Sequence, residues 1–211
     1  MSKVRSLALI QPLRLGSVLN GGFGAPAVRN YHFDLLNLKI GYTTTVENHP
    51  DSEKLYVSQI KLDQAGRVKQ ICSGIRDYVS RESLQGSLVV VVDNMKKCKL
   101  RGQISEGMII CGESASENLV SPFTLAKFDS SLIGKTVVLE SASGPASEPT
   151  TRRIKSQEWE DISSRMKVGE GGRITYRDEN TMAETYLSVY DTDGEPVPVI
   201  VKGLPAGSAV K

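Results

Sequence analysis

VVVVDNMKKCKLRGQISEGMIICGE, residues 89–113, is the stretch that decides the fold expected for this chain. Two apolar runs with strand character, Leu88 to Val92 and Met108 to Cys111, flank a segment that is rich in cations. The cations are Lys96, Lys97, Lys99 and Arg101. A basic segment held between two buried strands suits the phosphates of a polyanion, and it predicts nucleic-acid binding without catalysis.

Strand-like patterns continue on both sides of this stretch. From Leu36 to Tyr42, apolar and polar residues alternate with the period of a strand that buries one face. Further strands are predicted at residues 55–60, 68–72, 88–92, 104–111 and 136–139, and a short helix at residues 77–85. This pattern predicts a mainly β domain over residues 34–140, a closed five-stranded barrel of the OB-fold type.

A second, smaller unit is predicted after the barrel. Residues 141–150, SASGPASEPT, have the composition of a linker. Residues 151–211 then predict an α+β unit, with an amphipathic helix over residues 154–166 followed by strands near residues 174–176, 186–190 and 197–201. About 60 residues bury too little surface to be stable alone, so we expect this unit to pack against the barrel, with Trp159 as the anchor.

The charge of the chain is unevenly distributed. Residues 1–33 contain four Lys or Arg residues and no acid, whereas residues 34–140 contain 13 basic and 13 acidic residues. The head has the composition of a mitochondrial presequence, and the alternative is a basic extension that assists nucleic-acid binding in a cytoplasmic protein. Binding of an anion to the barrel must then depend on a local patch. No apolar run approaches the roughly 18 residues of a membrane span, so no membrane association is predicted.

The sequence predicts no catalytic, metal or cofactor site. Cys72, Cys98 and Cys111 are too few and too widely spaced for a disulfide framework or a zinc site, and Cys72 and Cys111 lie in apolar runs that predict burial. The segment His49-Pro50-Asp51 favours a turn capped by the histidine over acid–base chemistry. The glycine-rich residues 169–172 favour a turn over a phosphate-binding loop.

Five segments of the chain resemble, in order and spacing, the motifs of a known family. They are NLKIG (37–41), HPDSEKLY (49–56), CSGI (72–75), NMKKCKLRG (94–102) and SEGM (105–108). They are similar to the tRNA-binding domain related to endothelial monocyte-activating polypeptide II, which also occurs in some methionyl- and tyrosyl-tRNA synthetases and in the yeast synthetase cofactor. Residues 155–162 and 201–211 resemble the extra C-terminal unit of the eukaryotic branch.

The resemblance implies an OB-fold that binds tRNA by its shape and not by its sequence. It also implies that the C-terminal unit mimics the second subunit of dimeric relatives, so that the protein is a monomer. An aminoacyl-tRNA synthetase is the implied protein partner, and the chain would act as a cofactor that delivers tRNA to it. The alternative is a protein-interaction or cytokine-like signalling module without a role in RNA binding, which the balanced charge of residues 34–140 favours.

The candidate interface combines residues chosen by charge with residues chosen by resemblance. The four cations are predicted phosphate contacts, and the alternative is a solvated surface run. Asn94 could offer its amide to a base or ribose, or could end the strand as a turn residue. Alternation predicts that Lys39 points outward from the same sheet, and the resemblance implies contacts from Ser105 and Met108. The predicted set is Lys39, Asn94, Lys96, Lys97, Lys99, Arg101, Ser105 and Met108.

Overall fold

The computed structural model describes residues 32–140 and 150–211, and it is built mainly of β-strands. The strands up to residue 140 are β1 Leu38–Asn48, β2 Tyr56–Lys61, β3 Val68–Ser73, β4 Leu88–Val92, β5 Cys98–Leu100, β6 Gln103–Ser105, β7 Met108–Ile109, β8 Cys111–Ser114, β9 Leu119–Pro122, β10 Thr124–Leu125 and β11 Val138–Leu139. The later strands are β12 Met166–Val168, β13 Ile174–Arg177, β14 Glu184–Tyr190, β15 Pro196–Ile200 and β16 Ala209–Val210. The α-helices are α1 Arg81–Leu84 and α2 Ser156–Ser164, and short 3-10 helices lie at Phe33–Leu35, Ser130–Leu132 and Glu170–Gly172.

The first unit is the predicted five-stranded barrel. Its antiparallel strands follow the order β3-β2-β1-β4-β7. The backbone N–H of Glu106, just before β7, donates to the carbonyl oxygen of Gln70 in β3 at 2.9 Å, which brings the two ends of this sheet together. Strand β1 has a bulge between Thr43 and Thr45, and bulges of this kind bend a strand so that a sheet can curve. Leu84 of α1 is buried in the barrel core.

Strand β4 is buried on both faces, and this is why its sequence shows no alternation. Val89 and Val91 point into the barrel, where they pack with Ile60. Val90 and the even-numbered neighbours in β4 point the other way, into a second core that includes Trp159 of the C-terminal unit. A strand between two apolar layers needs apolar residues at every position.

The C-terminal unit is continuous with the barrel through a shared sheet. This sheet follows the order β10-β15-β14-β13-β12-β16-β8-β9, with β11 paired to β14. Strand β16 pairs with β8, and β15 pairs with β10, so strands of the first unit flank the five C-terminal strands on both sides within one sheet. Trp159 is 9% exposed and belongs to the same buried cluster as Leu38 and Ile40 of β1, as the anchoring prediction requires.

Two sequence predictions differ from the structure in their boundaries. Residues 104–111 were predicted as one strand, but they divide among β6, β7 and β8, which pair with β5, β4 and β9 respectively. Helix α2 is shorter than predicted because Ile154 forms a bridge with Met95 before the helix, and Met166 already belongs to β12. No helix among the described residues is long and apolar enough to span a membrane.

Candidate nucleic-acid interface

The basic segment folds into a separate two-stranded hairpin, which we call the basic hairpin (residues 96–105). Strands β5 and β6 pair antiparallel, with Lys99 opposite Ile104. The connection consists of Arg101 and Gly102, whose φ angles are +43° and +97°. Two consecutive positive φ angles are typical of the tight turns whose twist matches that of the flanking strands.

Arg101 occupies a backbone conformation that disfavours its side chain. A left-handed conformation costs an ordinary L-residue about 1–2 kcal/mol, and Asn or Gly is the usual choice at this turn position. A residue that keeps a long cation at the tip of the hairpin despite this strain points to a role for the cation itself.

The structure brings the four predicted cations onto the basic hairpin but divides them between its two faces. All four are exposed. Lys96 lies on the face that lines a cleft in the barrel, Lys97 and Lys99 lie on the opposite face by alternation, and Arg101 lies at the tip. The ammonium of Lys97 is 2.5 Å from the carboxylate of Glu106, although 61% of the Lys97 side chain remains exposed. The hairpin therefore presents charge in several directions and not in one row.

Lys69 of β3 holds both ends of the segment that carries the basic hairpin. Its ammonium donates to the carbonyl oxygens of Asp93 at 2.7 Å and Glu106 at 3.1 Å, and it lies 2.6 Å from the Asp93 carboxylate. Arg67 adds two-pronged hydrogen bonds to the same carboxylate at 3.1–3.2 Å. Burial disfavours the charge of Asp93, but the hydrogen bonds from Lys69 and Arg67 outweigh it and keep the pKa of Asp93 below its usual value.

The edge of β3 supports the returning strand of the hairpin. The side-chain amide of Gln70 donates to the carbonyl oxygen of Ile104 at 2.8 Å. The hydroxyl of Ser105 accepts from the backbone N–H of Cys72 at 3.0 Å and donates to the carbonyl oxygen of Gly107 at 3.1 Å. Ser105 is only 2% exposed, so the structure gives it a supporting role, and the tRNA contact that the resemblance implied stays a prediction.

His49 supports the hairpin from the loop after β1. The Nδ1 atom of His49 accepts from the backbone N–H of Asp51 at 3.0 Å, which confirms the predicted capping turn. Nε2 therefore carries the hydrogen and donates to the carbonyl oxygen of Leu100 at 3.1 Å. Since His49 is 3% exposed, both bonds are protected from water, and the loop and the hairpin are held in one arrangement.

Asn94 is buried, and its amide oxygen and both of its N–H groups form hydrogen bonds within the protein. Its Oδ1 accepts from the backbone N–H of Asn37 at 3.0 Å, and its Nδ2 donates to the carbonyl oxygens of Leu35 at 2.9 Å and Arg152 at 2.7 Å. The side chain is 6% exposed. In this arrangement Asn94 is a structural residue, because both amide donors are used within the protein and the side chain is buried; its contact with a base or ribose stays a prediction.

Lys39 lies apart from the basic hairpin. It shares a face of the sheet with Val91, its partner in β4, and this face points into the barrel and not outward as alternation predicted. Its half-buried ammonium donates to the hydroxyl of Thr136 at 2.8 Å. Burial lowers the pKa of Lys39, an effect that the nearby Asp93 carboxylate opposes and Arg67 adds to. Leu38 and Ile40 on the other face are also buried, because β1 lies between the two cores at this end and neither of its faces is fully exposed.

The hairpin borders a depression of about 440 Å³, which we call the hairpin cleft. Its walls include Gly74, Ile75, Lys96, Cys98 and Met108. Of the predicted contacts, only Lys96 and Met108 line it with exposed or half-buried side chains.

The cysteines are free thiols. Cys72 and Cys111 are buried, as predicted, whereas Cys98 is exposed. Burial raises the pKa of Cys72 and raises that of Cys111 to about 12, so both are expected to stay protonated. No group of three or more potential metal ligands occurs in residues 32–140 and 150–211.

The geometry agrees with comparisons to known proteins. Residues 38–128 match the family model described as a putative tRNA binding domain. Residues 38–128 are therefore similar to the family of putative tRNA-binding domains. This match spans the barrel, the basic hairpin and its supports.

Individual relatives match this chain over different lengths. A methionine–tRNA ligase from Borrelia hermsii is 37% identical over 106 residues, which are 50% of this chain and 14% of the ligase. The tRNA-aminoacylation cofactor arc1 of Schizosaccharomyces pombe is 28% identical over 154 residues, 72% of this chain and 33% of the cofactor. The chain thus spans only a seventh to a third of these relatives.

A solved structure extends the similarity in fold beyond residues 38–128. The C-terminal domain of Plasmodium vivax p43 aligns with a TM-score of 0.68 at 23% identity, and the alignment covers 86% of this chain and all of that domain. At this identity the likeness concerns the fold alone. It confirms the mainly β architecture in which a barrel is joined to a C-terminal unit.

The residues that hold the hairpin were not chosen from the sequence. Lys69 and Asp93 look like ordinary solvated charges, and neither stands in a recognisable spacing. The signal that could have found Asp93 is its place directly after a fully apolar strand, since a carboxylate at the end of a buried strand needs a partner. His49 was read as a turn cap, but the sequence gives no sign of its bond to Leu100.

Proposed function

We propose that this protein is a non-catalytic tRNA-binding protein that recognises the shape of tRNA. The observation that carries the proposal is the basic hairpin, on which four exposed cations are fixed to the barrel by Lys69, Gln70 and His49. Because the supports are buried or half-buried, the hairpin backbone that carries the cations has a defined position before RNA arrives, which reduces the entropy lost on binding.

The proposed mechanism depends on phosphates and on the outline of the folded RNA. The basic hairpin carries positive charge on both faces and at its tip. This arrangement suits a hairpin that enters between two stretches of the RNA backbone and contacts phosphates on each side. Lys and Arg side chains bind phosphates without reading the base sequence. RNA helices are recognised mainly by their shape and backbone, since their deep groove is inaccessible to side chains.

We further propose that the protein acts in trans as a cofactor that delivers tRNA to an aminoacyl-tRNA synthetase. The name of the similar fission-yeast protein, a tRNA-aminoacylation cofactor, supports this role. Adding the protein to a synthetase assay at limiting tRNA is expected to raise the initial rate of charging. An unchanged initial rate with each synthetase tested would contradict the delivery role. It would not contradict tRNA binding itself.

A monomer with an internal mimic of a dimer partner is part of the proposal. The C-terminal unit covers the apolar face of the barrel formed by Leu38, Ile40 and Val90. With that face covered, a second copy of the chain is not needed to bury it. Sedimentation velocity is expected to show a single species of monomer mass, and a stable dimer would contradict this part.

The mitochondrial location is likewise proposed and rests on the composition of residues 1–33, of which residues 1–31 lie outside the described part of the chain. Deletion of residues 2–30 is expected to move a fluorescently tagged protein from mitochondria to the cytosol. An unchanged distribution would favour a cytoplasmic protein.

The site is tested by removing three cations that form no ion pair with the described residues. The variant Lys96→Ala/Lys99→Ala/Arg101→Ala is compared with Lys127→Ala/Lys167→Ala/Arg177→Ala, which loses the same charge from exposed positions outside the hairpin. The hairpin variant is expected to bind tRNA at least about tenfold more weakly and to show a flatter salt dependence, by about 0.9 in log–log slope per lost contact on duplex RNA-like sites. Equal affinities of the two variants would remove the hairpin from the interface.

A further inference from the structure

The hairpin cleft shares two lining residues with a second depression. This second depression, which we call the junction cleft, has a volume of about 640 Å³ and lies between the barrel and the C-terminal unit. Tyr78 and Val120 line both clefts. The two clefts therefore adjoin at Tyr78 and Val120, and the pair, which we call the groove, reaches from the basic hairpin to the loop at Lys202.

The backbone around Tyr78 is well fixed, but its ring has no partner. The backbone N–H groups of Tyr78 and Val79 donate to the carbonyl oxygen of Ile75 at 3.0 and 2.9 Å. The hydroxyl of Tyr56, a buried residue, donates to the carbonyl oxygen of Val79 at 3.0 Å. Tyr78 itself is 42% exposed, and its side chain makes no hydrogen bond or ring contact with the residues that the structure describes.

Cations lie in both parts of the groove. Lys96 lines the hairpin cleft and Lys202 lines the junction cleft, and neither forms an ion pair with a described residue. The carboxylate of Glu113 also borders the hairpin cleft, but it pairs with Lys211. Small hydroxyl side chains cover much of the junction cleft: Ser80, Ser83, Ser87, Ser121 and Thr124. Such a wall can accept or donate hydrogen bonds to a sugar–phosphate chain.

We propose that this groove binds an unpaired segment of RNA, with one base stacked on the ring of Tyr78. An exposed ring between cations is the arrangement by which proteins hold single-stranded nucleic acid: the bases stack on aromatic rings while the backbone follows positive charge. A duplex does not fit this use of the ring, because its bases are stacked on one another and only a splayed base offers a free face. The proposal deepens the proposed tRNA-binding function and rests on it, since it names the part of the RNA that this groove takes.

The test compares single-stranded and duplex RNA. Tyr78→Ala removes the ring, Tyr78→Phe keeps it without the hydroxyl, and Phe128→Ala removes an aromatic ring that is 58% exposed and does not line the groove. Dissociation constants are measured by fluorescence anisotropy for a single-stranded RNA of about 12 nucleotides, for the matching duplex, and for tRNA. Because Tyr78 is largely at the surface, the variants are expected to keep the wild-type melting temperature, which circular dichroism checks.

We expect Tyr78→Ala to weaken binding of the single strand about 5- to 150-fold, the range that stacking of one base contributes, and to leave the duplex unchanged. Tyr78→Phe and Phe128→Ala should stay within about twofold of wild type on the single strand. Wild-type affinity of Tyr78→Ala for the single strand, or an equal loss on the duplex, overturns the stacking proposal. These outcomes are separable from the broader function, because a wild-type protein that fails to bind tRNA would sink the proposed function before any variant is compared.

Discussion

The side-chain amide of Asn94 donates to the carbonyl oxygen of Arg152 at 2.7 Å, and this bond joins the start of the basic segment to the start of the C-terminal unit. The backbone makes the same connection, since the N–H of Ile154 donates to the carbonyl oxygen of Asn94 at 3.1 Å. The other bonds of the Asn94 amide reach residues 35 and 37, just before β1. One buried side chain thus fixes the barrel, the hairpin segment and the second unit relative to each other.

Asn94→Ala is expected to lower the free energy of unfolding by roughly 2–4 kcal/mol, because buried groups left without a partner cost about 1–3 kcal/mol each. The groups released are the N–H of Asn37 and the carbonyl oxygens of Leu35 and Arg152. Urea denaturation measures the change. Asn48→Ala, at an exposed position, is the control and should cost less than about 0.5 kcal/mol. Equal stabilities of the two variants would contradict this account.

The same residue shows how far the sequence could be interpreted. The barrel was predictable, because alternation in β1 and the apolar runs around residues 89–113 depend on local periodicity. The hairpin cations were predictable as a group from their spacing. The role of Asn94 was not, because a turn residue at the surface and a buried junction residue have the same local sequence. Only the later approach of residues 152–154 decides between them.

The sequence also could not show which face of each strand is exposed. Alternation places Lys39 opposite Leu38 and Ile40, but it does not say which side is the outside. In a barrel covered by a second unit, both sides of β1 are buried near that end. Likewise, β5, β9, β10 and β16 are only two to four residues long, which is too short for a periodic pattern to appear.

Lys69→Met is expected to weaken tRNA binding without removing a phosphate contact. The substitution keeps most of the apolar stem but releases the carbonyl oxygens of Asp93 and Glu106, so the two ends of the hairpin segment lose their common anchor. Stability should fall by roughly 1–3 kcal/mol, because the Asp93 carboxylate, with only 9% of its side chain exposed, retains only Arg67. Urea denaturation and tRNA anisotropy measure the two effects.

The salt dependence of binding distinguishes positioning from direct contact in Lys69→Met. If Lys69 only positions the hairpin, the affinity falls while the slope of log affinity against log salt stays at the wild-type value. A slope reduced by about 0.9 would instead show that Lys69 itself neutralises a phosphate on duplex-like RNA. Lys167→Met, on the exposed face of β12, serves as the control for loss of one lysine charge.

Glu158 is expected to make the free energy of unfolding depend on pH. Hydrogen bonds from the Arg152 guanidinium and the Lys155 backbone N–H lower the pKa of Glu158 to about 2. Because the pKa of Glu158 is lower in the folded state, its ionised carboxylate stabilises the fold fully at pH values above the unfolded-state pKa of about 4.3. This stabilisation is lost as the pH falls towards the folded-state pKa. The stability difference between wild type and Glu158→Gln should therefore be constant above roughly pH 5 and shrink between about pH 4 and 2.

Denaturation of both proteins across this pH range measures the Glu158 effect. The comparison with Glu158→Gln is necessary because Asp93 and Glu106 also have lowered pKa values and lose stabilisation in the same direction. Subtracting the two curves removes their contribution. A difference that does not change with pH would show that the charge of Glu158 contributes nothing beyond the hydrogen bonds that glutamine can keep.

Arg101→Asn is expected to separate stability from RNA binding. Asparagine accepts a positive φ more readily than arginine, so the substitution should raise the free energy of unfolding by a few tenths to about 1 kcal/mol. The same change removes the cation at the hairpin tip, so tRNA affinity should fall about threefold to tenfold at moderate salt. Arg101→Lys is the matched control, since it keeps both the charge and the strain, and it should bind within about twofold of wild type if the tip contacts phosphate through charge alone. A more stable Arg101→Asn protein with undiminished tRNA affinity would show that the strained arginine is not retained for RNA.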